Sequence, residues 1–427
     1  MDKTLQPAKH LRGEITVPGD KSISHRAILL GSLAKGTTEI AGFLDAADPR
    51  NTLLCVQAMG IETELSSGVL RIFGKGLHGY RAPASSLDAG NSGTTIRLIS
   101  GILAGQKFPT VISGDQYLIR RPMKRIIDPL TEMGANIVGT EKFTAPLKIF
   151  PSEKLHGITY ELPIPSAQVK SAILLAGLFA EGTTTVEENQ QSRDHTERML
   201  GLRTIARKGK NEVSVTGGMQ VPAGRFLVPG DPSSAAFFIV AALISKNAEV
   251  LIKDVGLNPT RSGYIEVLRS MGGNIQTENI RTIGGEPIGD IVVKNSALSF
   301  SISLKGAIIP NIIDEIPIIA VAAAFGTGTF ELHDAFELRN KESDRIGAVC
   351  ENLIAMGVDV GETEDGFAFD SKSNLIPAAF DSFGDHRIAM AFGVAATALS
   401  GESSVKEAEC VDISFPSFWT TLQSLSQ

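Results

Sequence analysis

The sequence predicts an α/β (α+β) protein of two lobes, each made of three repeated units with a buried helix at the start of every unit. Three observations predict it. An apolar, small-residue helix, a glycine stop and a β-branched strand recur along the whole chain. Between these copies a second helix ends on Met-Gly and an alternating strand follows, at Met59-Gly60, Met133-Gly134, Met271-Gly272 and Met356-Gly357. The tetrapeptide Val-Pro-Gly-Asp occurs at 17–20 and again at 228–231, each time just before an apolar helix.

The first copy runs from Lys21-Ser22-Ile23-Ser24-His25-Arg26 through Leu33-Ala34 to the strand ending at Ile40. The second opens at Gly90-Asn91-Ser92-Gly93-Thr94, the third at Pro165-Ser166-Ala167-Gln168, and the fourth at Gly230-Asp231-Pro232-Ser233. The fifth opens at Asp314-Glu315-Ile316-Pro317 and the sixth at Gly384-Asp385-His386-Arg387. The period is roughly 65–80 residues, too long for a solenoid repeat, so each copy is expected to be a small subdomain of two helices and about four short strands. The two Val-Pro-Gly-Asp segments read as crossovers between lobes of three units each. One lobe is expected to span 20–229. The other is expected to combine 1–19 with 230–427, the N-terminal strand completing its sheets.

The totals set limits. A chain of 427 residues with 43% hydrophobic and 20% charged residues has the composition of an ordinary globular protein. Its net charge of -7 gives no footing for nucleic acid or an anionic membrane surface, so any anion site must come from local clustering. No apolar run is long enough to span a bilayer, and the N-terminus lacks the apolar segment of a signal peptide. Cys55, Cys350 and Cys410 are widely spaced, which fits a reducing compartment, and a cytoplasmic setting is expected. No zinc spacing, Walker loop or dinucleotide fingerprint is present, and no metal or organic cofactor is expected.

The chemistry is expected at the helix starts. A helix N-terminus presents unpaired N–H groups and a partial positive charge, which favour anions. Lys21, Ser22 and Arg26 occupy one such start. Arg120 and Arg121 stand just before a helix read as starting at Pro122. Arg339, Lys341, Glu342, Asp344 and Arg345 crowd another, and Arg387 lies in the last. Each group alone also fits a plainer account: a capped basic helix, a solvated turn, a network of i,i+3 and i,i+4 pairs, or Asp314 as an N-cap. Together, Lys21, Arg26, Arg121, Lys341, Arg345 and Arg387 put cations at equivalent edges of the repeats, with Asp314 and Glu342 among them. Cations hold phosphates and carboxylates and carboxylates move protons, so the pattern suits group transfer between anionic substrates.

With these residues in order, the chain resembles the 5-enolpyruvylshikimate-3-phosphate synthases, a family of enolpyruvyl transferases, over essentially its whole length. The matching motifs are 19–26, Gly90-Asn91-Ser92-Gly93-Thr94, Arg121-Pro122-Met123, Ser166-Ala167-Gln168, Asn340-Lys341-Glu342-Ser343-Asp344-Arg345 and Gly384-Asp385-His386-Arg387. The resemblance implies the enolpyruvyl transferase fold, an inverse α/β barrel of βαβαββ units with parallel buried helices and an active site in the interlobe cleft. It implies a monomer that transfers the enolpyruvyl group of phosphoenolpyruvate to the 5-hydroxyl of shikimate 3-phosphate.

By the same resemblance, shikimate 3-phosphate meets Lys21, Ser22, Arg26, Ser166, Ala167, Gln168, Ser192, Asp314 and Lys341. Phosphoenolpyruvate meets Lys21, Gly93, Arg121, Gln168, Arg345 and Arg387. Asp314, Glu342 and Lys21 are the expected catalytic groups. Gly93 leaves room beside the donor phosphate, which implies inhibition by the family's phosphonate inhibitor, glyphosate. The sequence departs from some relatives at Ile413, where they carry a phosphate-binding lysine and Lys406 is the candidate replacement, and at Glu337 and His195. Two other readings stay open at this point. One is a UDP-N-acetylglucosamine enolpyruvyl transferase, disfavoured because Ser22 follows Lys21 and no cysteine lies near Arg121. The other is a non-catalytic anion-binding protein on the same fold.

Overall fold

Helices that are apolar all round must be buried all round, and six segments obey this. They are α1 (Lys21–Leu33), α2 (Gly93–Ala104), α3 (Ala167–Gly177), α4 (Pro232–Ile244), α5 (Ile316–Ala324) and α6 (His386–Ala398). In the computed structural model, which describes residues 1–371 and 374–426, α4 and α5 bury nearly every side chain. Burial leaves the first-turn N–H groups without water, and side-chain caps answer for five of the six starts. Asp20 accepts from Ile23, Ser92 from Thr95, Ser166 from Val169, Asp231 from Ser233 and Asp385 from Arg387. At α5 the N-cap position falls on Glu315, which makes no capping bond. Asp314 is therefore not the N-cap that its place in the sequence suggests.

The chain divides into two compact units. One comprises Gly19–Val228 with Ile283–Glu286, and the other Met1–Pro18, Pro229–Thr282 and Pro287–Gln427. Three sheets of the first unit share one plan. In the second sheet, Leu87–Asp88 runs parallel to Thr110–Ser113 across α2, and in the third Thr159–Glu161 runs parallel to Thr183–Glu188 across α3. A βαβ crossover needs this spacing. An antiparallel partner follows in each, with Ile112 opposite Leu147 and Val186 opposite Val213. The first sheet has the same plan, but its parallel strand, Arg225–Leu227, comes from the far end of the unit to pair with Lys35–Ala41. The second unit repeats this. Leu11–Thr16 pairs parallel with Ala248–Gly256, Ser299–Leu304 with Thr327–Leu332 across α5, and Ala379–Asp381 with Ser403–Lys406 across α6. The two Val-Pro-Gly-Asp segments are thus where a strand finishes one unit's sheet and the chain leaves for the other unit's first helix.

Two details differ from the sequence reading. The sixth sheet has three described strands, with Lys3–Leu5 on its edge, rather than about four. The helix after Arg121 begins at Lys124 behind a short 3-10 turn, Leu118–Arg120, and not on Pro122. The two cores also differ. The first is aliphatic, built from residues such as Ile28, Leu30, Ile99 and Leu174. The second stacks Phe330 on Phe367 and Phe369, and packs Phe238 at a tilt against Phe415 and Phe418. In the first unit close helix packing rests on Gly101, where a Cβ would lie 2.2 Å from the Ala172 carbonyl oxygen.

Candidate active site

In the first unit each buried helix carries a buried cation within its first two turns: Arg26 on α1, Arg97 on α2 and Lys170 on α3. A buried cation must be hydrogen-bonded, and these bonds tie the helix starts together. Arg26 donates through Nε to Thr196 Oγ1 (2.8 Å), through Nη2 to Ser171 Oγ on α3 (2.8 Å), and through Nη1 back to the Ser22 carbonyl (3.0 Å). Arg97 donates through Nη1 to Gln168 Oε1 (2.6 Å), and Gln168 Nε2 donates to Thr94 Oγ1 (2.9 Å), joining α2 to α3. His25 Nδ1 meets Thr52 Oγ1 at 2.7 Å and Thr52 meets Thr95 at 2.7 Å, which links α1 to α2. The starts of α1, α2 and α3 thus form a closed triangle of polar contacts.

Lys21 lies at this triangle with its Nζ 3.1 Å from Asp48 Oδ2. Arg121 donates to Asn91, whose amide donates to Asp115 (2.9 Å). Gly93 sits between the guanidinium groups of Arg97 and Arg121: a Cβ there would lie 2.7 Å from one Nη1 and 3.3 Å from the other. Ser166 caps α3, and Ala167 is its first residue. Ser192 donates its hydroxyl to Glu188. Glu188 and Glu197 both contact Lys170 Nζ at 2.7 Å. Burial disfavours the Lys170 charge, but Glu197 and Glu188 outweigh it and raise the ammonium above its usual value, while burial pushes the Glu197 carboxyl up. Next to this group His195 pairs with Glu286 at 2.8 Å.

The second unit brings its helix starts together with carboxylates. Arg261, fully buried, donates to Asp231 Oδ1 (3.1 Å) and Ser233 Oγ (2.9 Å), and Ser233 donates to Glu315, joining α4 to α5. Arg387 donates to the Asp314 carbonyl (3.0 Å) and lies 3.7 Å from Glu315, joining α6 to α5. Arg345 is held by three acids: Asp385 on Nε (2.7 Å), Glu342 on Nη2 (2.7 Å) and Asp314 on Nη1 (3.1 Å). Burial works against the guanidinium charge, and Asp385, Glu342 and Asp314 overcome it, so the group stays far above any pH of interest. Lys341 Nζ lies 3.4 Å from Asp314. The loop before this helix does form the capping pairs its sequence allows, with Arg339 2.6 Å from Asp344 and Asp344 accepting from Gly347.

Within the first unit the structure assembles Lys21, Ser22, Arg26, Gly93, Arg121, Ser166, Ala167, Gln168 and Ser192 at or beside three helix starts. Within the second it assembles Asp314, Lys341, Glu342, Arg345 and Arg387. Sequence reasoning missed Asp48, Arg97, Lys170, Glu188, Thr196, Glu315 and Asp385. One signal was available for Arg97 and Lys170: a single cation inside an otherwise apolar helix is costly to bury and implies a built partner. Lys406, offered as a replacement at Ile413, pairs across its sheet with Asp381 at 3.6 Å. The three cysteines are free, and burial pushes each thiol up to about 12, so none has the character of an activated nucleophile. Among the described residues no group of three metal-binding side chains comes together, and no single helix is long and apolar enough to cross a membrane.

Each unit carries three helix starts dressed with lysines and arginines, with carboxylates set against some of them, and such a pattern suits a transferase of small anionic substrates. The comparisons with known proteins narrow this. The family model described as EPSP synthase (3-phosphoshikimate 1-carboxyvinyltransferase) matches residues 5–422. A 3-phosphoshikimate 1-carboxyvinyltransferase of Salinibacter ruber is 49% identical over 100% of both chains, and one of Geobacter sp. strain M21 is 50% identical over 99% of both. A solved EPSP synthase from Acinetobacter baumannii has a TM-score of 0.87 at 45% identity, covering 100% of this chain and 98% of that one. The chain belongs to the EPSP synthase family.

Proposed function

We propose that the chain carries out its family's reaction: transfer of the carboxyvinyl group of phosphoenolpyruvate to the 5-hydroxyl of shikimate 3-phosphate, with release of phosphate. The observation that carries this reading is the family match over residues 5–422, with a relative 49% identical over the whole of both chains. The relatives' shared name favours the shikimate acceptor over UDP-N-acetylglucosamine. The retained Lys21, Asp314 and Glu342 speak against a binding protein that has lost its chemistry.

The reaction is an addition followed by an elimination. A proton adds to the donor's methylene carbon as the acceptor oxygen bonds to the neighbouring carbon, and the hydroxyl proton passes to a carboxylate. The resulting tetrahedral adduct then loses a methyl proton and its carbon–phosphate oxygen bond breaks, leaving the enol ether and phosphate. We assign the hydroxyl proton to Asp314 and the methylene proton to Glu342. Shikimate 3-phosphate is assigned to Lys21, Ser22, Arg26, Ser166, Ala167, Gln168, Ser192 and Lys341. The donor's phosphate is assigned to Lys21 and Arg121 beside Gly93 and Gln168, and its carboxylate to Arg345 and Arg387, whose planar forks match it. No cofactor has a role in this reading. Ser192 donates to Glu188, so its hydroxyl must rotate to donate to a phosphate. A domain division at the two Val-Pro-Gly-Asp segments, a monomeric state and a cytoplasmic location belong to the same reading.

The test is phosphate release from phosphoenolpyruvate with shikimate 3-phosphate, and with UDP-N-acetylglucosamine as control acceptor. Release with the first only is the expected result. Release with the control, or with neither, overturns the reading.

A further inference from the structure

Arg345 is surrounded unequally. Asp385 is 0% exposed and holds Nε at 2.7 Å from the protein side, with a longer bond of 3.3 Å from Nη2 to its other oxygen. Asp314 and Glu342 are 12% and 21% exposed and each takes one of the two terminal nitrogens. Those nitrogens are the guanidinium edge that binds a carboxylate through two parallel bonds. The residue itself is only 1% exposed, so an anion arriving from solvent meets the two acids before it meets Arg345. Asp314 goes further. Besides Arg345 it contacts Lys341 at 3.4 Å and, through Oδ2, Arg387 at 3.9 Å. One carboxylate therefore touches three cations of the second unit that the proposed function gives to the substrates.

We propose that Asp314 and Glu342 compete with the carboxylate of phosphoenolpyruvate for the same N–H groups of Arg345, so that donor binding releases the two proton-transfer groups. The inference rests on the proposed function and adds a coupling to it. While Asp314 accepts from Arg345 and Lys341 its Oδ1 is committed and its charge is shared among cations, which makes it a weaker acceptor for a substrate hydroxyl. When the donor's carboxylate takes over Nη1 and Nη2, Asp314 and Glu342 lose a cationic partner each and become acceptors for the reacting groups. Asp385 is not displaced. It keeps Nε and caps α6 through the Arg387 N–H (2.8 Å), so the guanidinium keeps its aim through the exchange. The device also keeps a buried arginine charge paired at every stage, which a low-dielectric site requires.

The exchange makes a prediction opposite to that for an ordinary binding residue. Removing Asp314 abolishes turnover yet tightens phosphoenolpyruvate, because the donor no longer competes with an internal carboxylate. The measurement is calorimetric titration of the full chain with phosphoenolpyruvate alone, with pyruvate and with inorganic phosphate, for wild type, Asp314→Ala, Asp314→Asn and Glu342→Gln. The expected result is about tenfold tighter binding of phosphoenolpyruvate and pyruvate to Asp314→Ala, the scale of one charged hydrogen bond. A smaller gain is expected for the isosteric Asp314→Asn and for Glu342→Gln, with phosphate affinity unchanged. The Asn variant covers the case in which the Ala variant does not fold. Equal or weaker phosphoenolpyruvate binding in both Asp314 variants overturns the inference, and so does an equal gain for phosphate, which would mark a general charge effect. The proposed function is judged separately, by wild-type phosphate release with shikimate 3-phosphate. Turnover without tightening therefore rejects the exchange and leaves the reaction standing.

Discussion

The two units solve one problem with different partners. Each brings three helix starts together and must hold buried cations there. In the first unit the two arginines, Arg26 and Arg97, are held by hydroxyl, amide and carbonyl oxygens of Thr196, Ser171, Ser22 and Gln168, while Lys170 is held by Glu188 and Glu197. In the second, Arg345 is held by three carboxylates and Arg261 by Asp231. Neutral acceptors satisfy a guanidinium's hydrogen bonds without cancelling its charge. Carboxylates do both. The arrangement around Arg26 and Arg97 leaves a standing positive field for an incoming anion, and the one around Arg345 hides its charge until something displaces the acids.

The comparison can be broken most severely at Arg345. Arg345→Gln leaves Asp385, Glu342 and Asp314 around a neutral amide, and a loss of about 3–5 kcal/mol in urea unfolding is expected on top of lost activity. A loss under about 1 kcal/mol would show that the acids are not a paired buried group. Lys21 sharpens the other side. It is 18% exposed and pairs with Asp48 at 3.1 Å. Lys21→Met is expected to cut turnover about 10³-fold through lost charge stabilisation of the departing phosphate. Unfolding should shift by less than about 1 kcal/mol. A stability loss as large as that of Arg345→Gln would erase the contrast between the units.

Gly93→Ala is the next smaller test. Its Cβ meets only the ends of two arginine side chains, which can give way, so the protein folds. Their displacement is expected to raise KM for phosphoenolpyruvate about tenfold and to weaken glyphosate inhibition at least as much, read from steady-state rates. An unchanged KM would place the donor phosphate elsewhere.

The smallest effect concerns His25. Burial, with Lys21 and Arg26 adding to it, holds this imidazole well below its usual value of 6.5. Below that pH the unfolded chain takes up a proton that the native protein refuses. Stability contributed by the neutral ring is therefore present above about pH 6.5 and lost as pH falls beneath it. His25→Asn keeps a polar partner for Thr52 and removes the titration. Its stability loss between about pH 7 and pH 5.5 should be smaller than the wild type's by about 1 kcal/mol, by urea unfolding at each pH. Parallel curves would mean that His25 does not titrate differently in the two states.

The sequence by itself determined the repeat, the six buried helices and the clustering of cations at helix starts. These are legible because they are local: apolar residues on every face, a capping Ser or Asp, a glycine stop, and a tetrapeptide used twice. The motifs from Lys21 to Arg387 also name the family, since their order and spacing survive without reference to any contact. Only the tertiary structure decided what each charge faces. Nothing near Arg26 in sequence announces Thr196, and nothing near Lys170 announces Glu197. Asp385 reads as a helix cap and is also the anchor of Arg345. Asp314 shows the limit most plainly. Its local context makes it an N-cap, yet the cap position falls on Glu315, and the Asp314 carboxylate turns to Lys341 and Arg345 instead. Capping is settled within four residues of chain, whereas the pairing of buried charges is settled by whichever distant segment the fold brings within about 3 Å, and no local pattern encodes that distance.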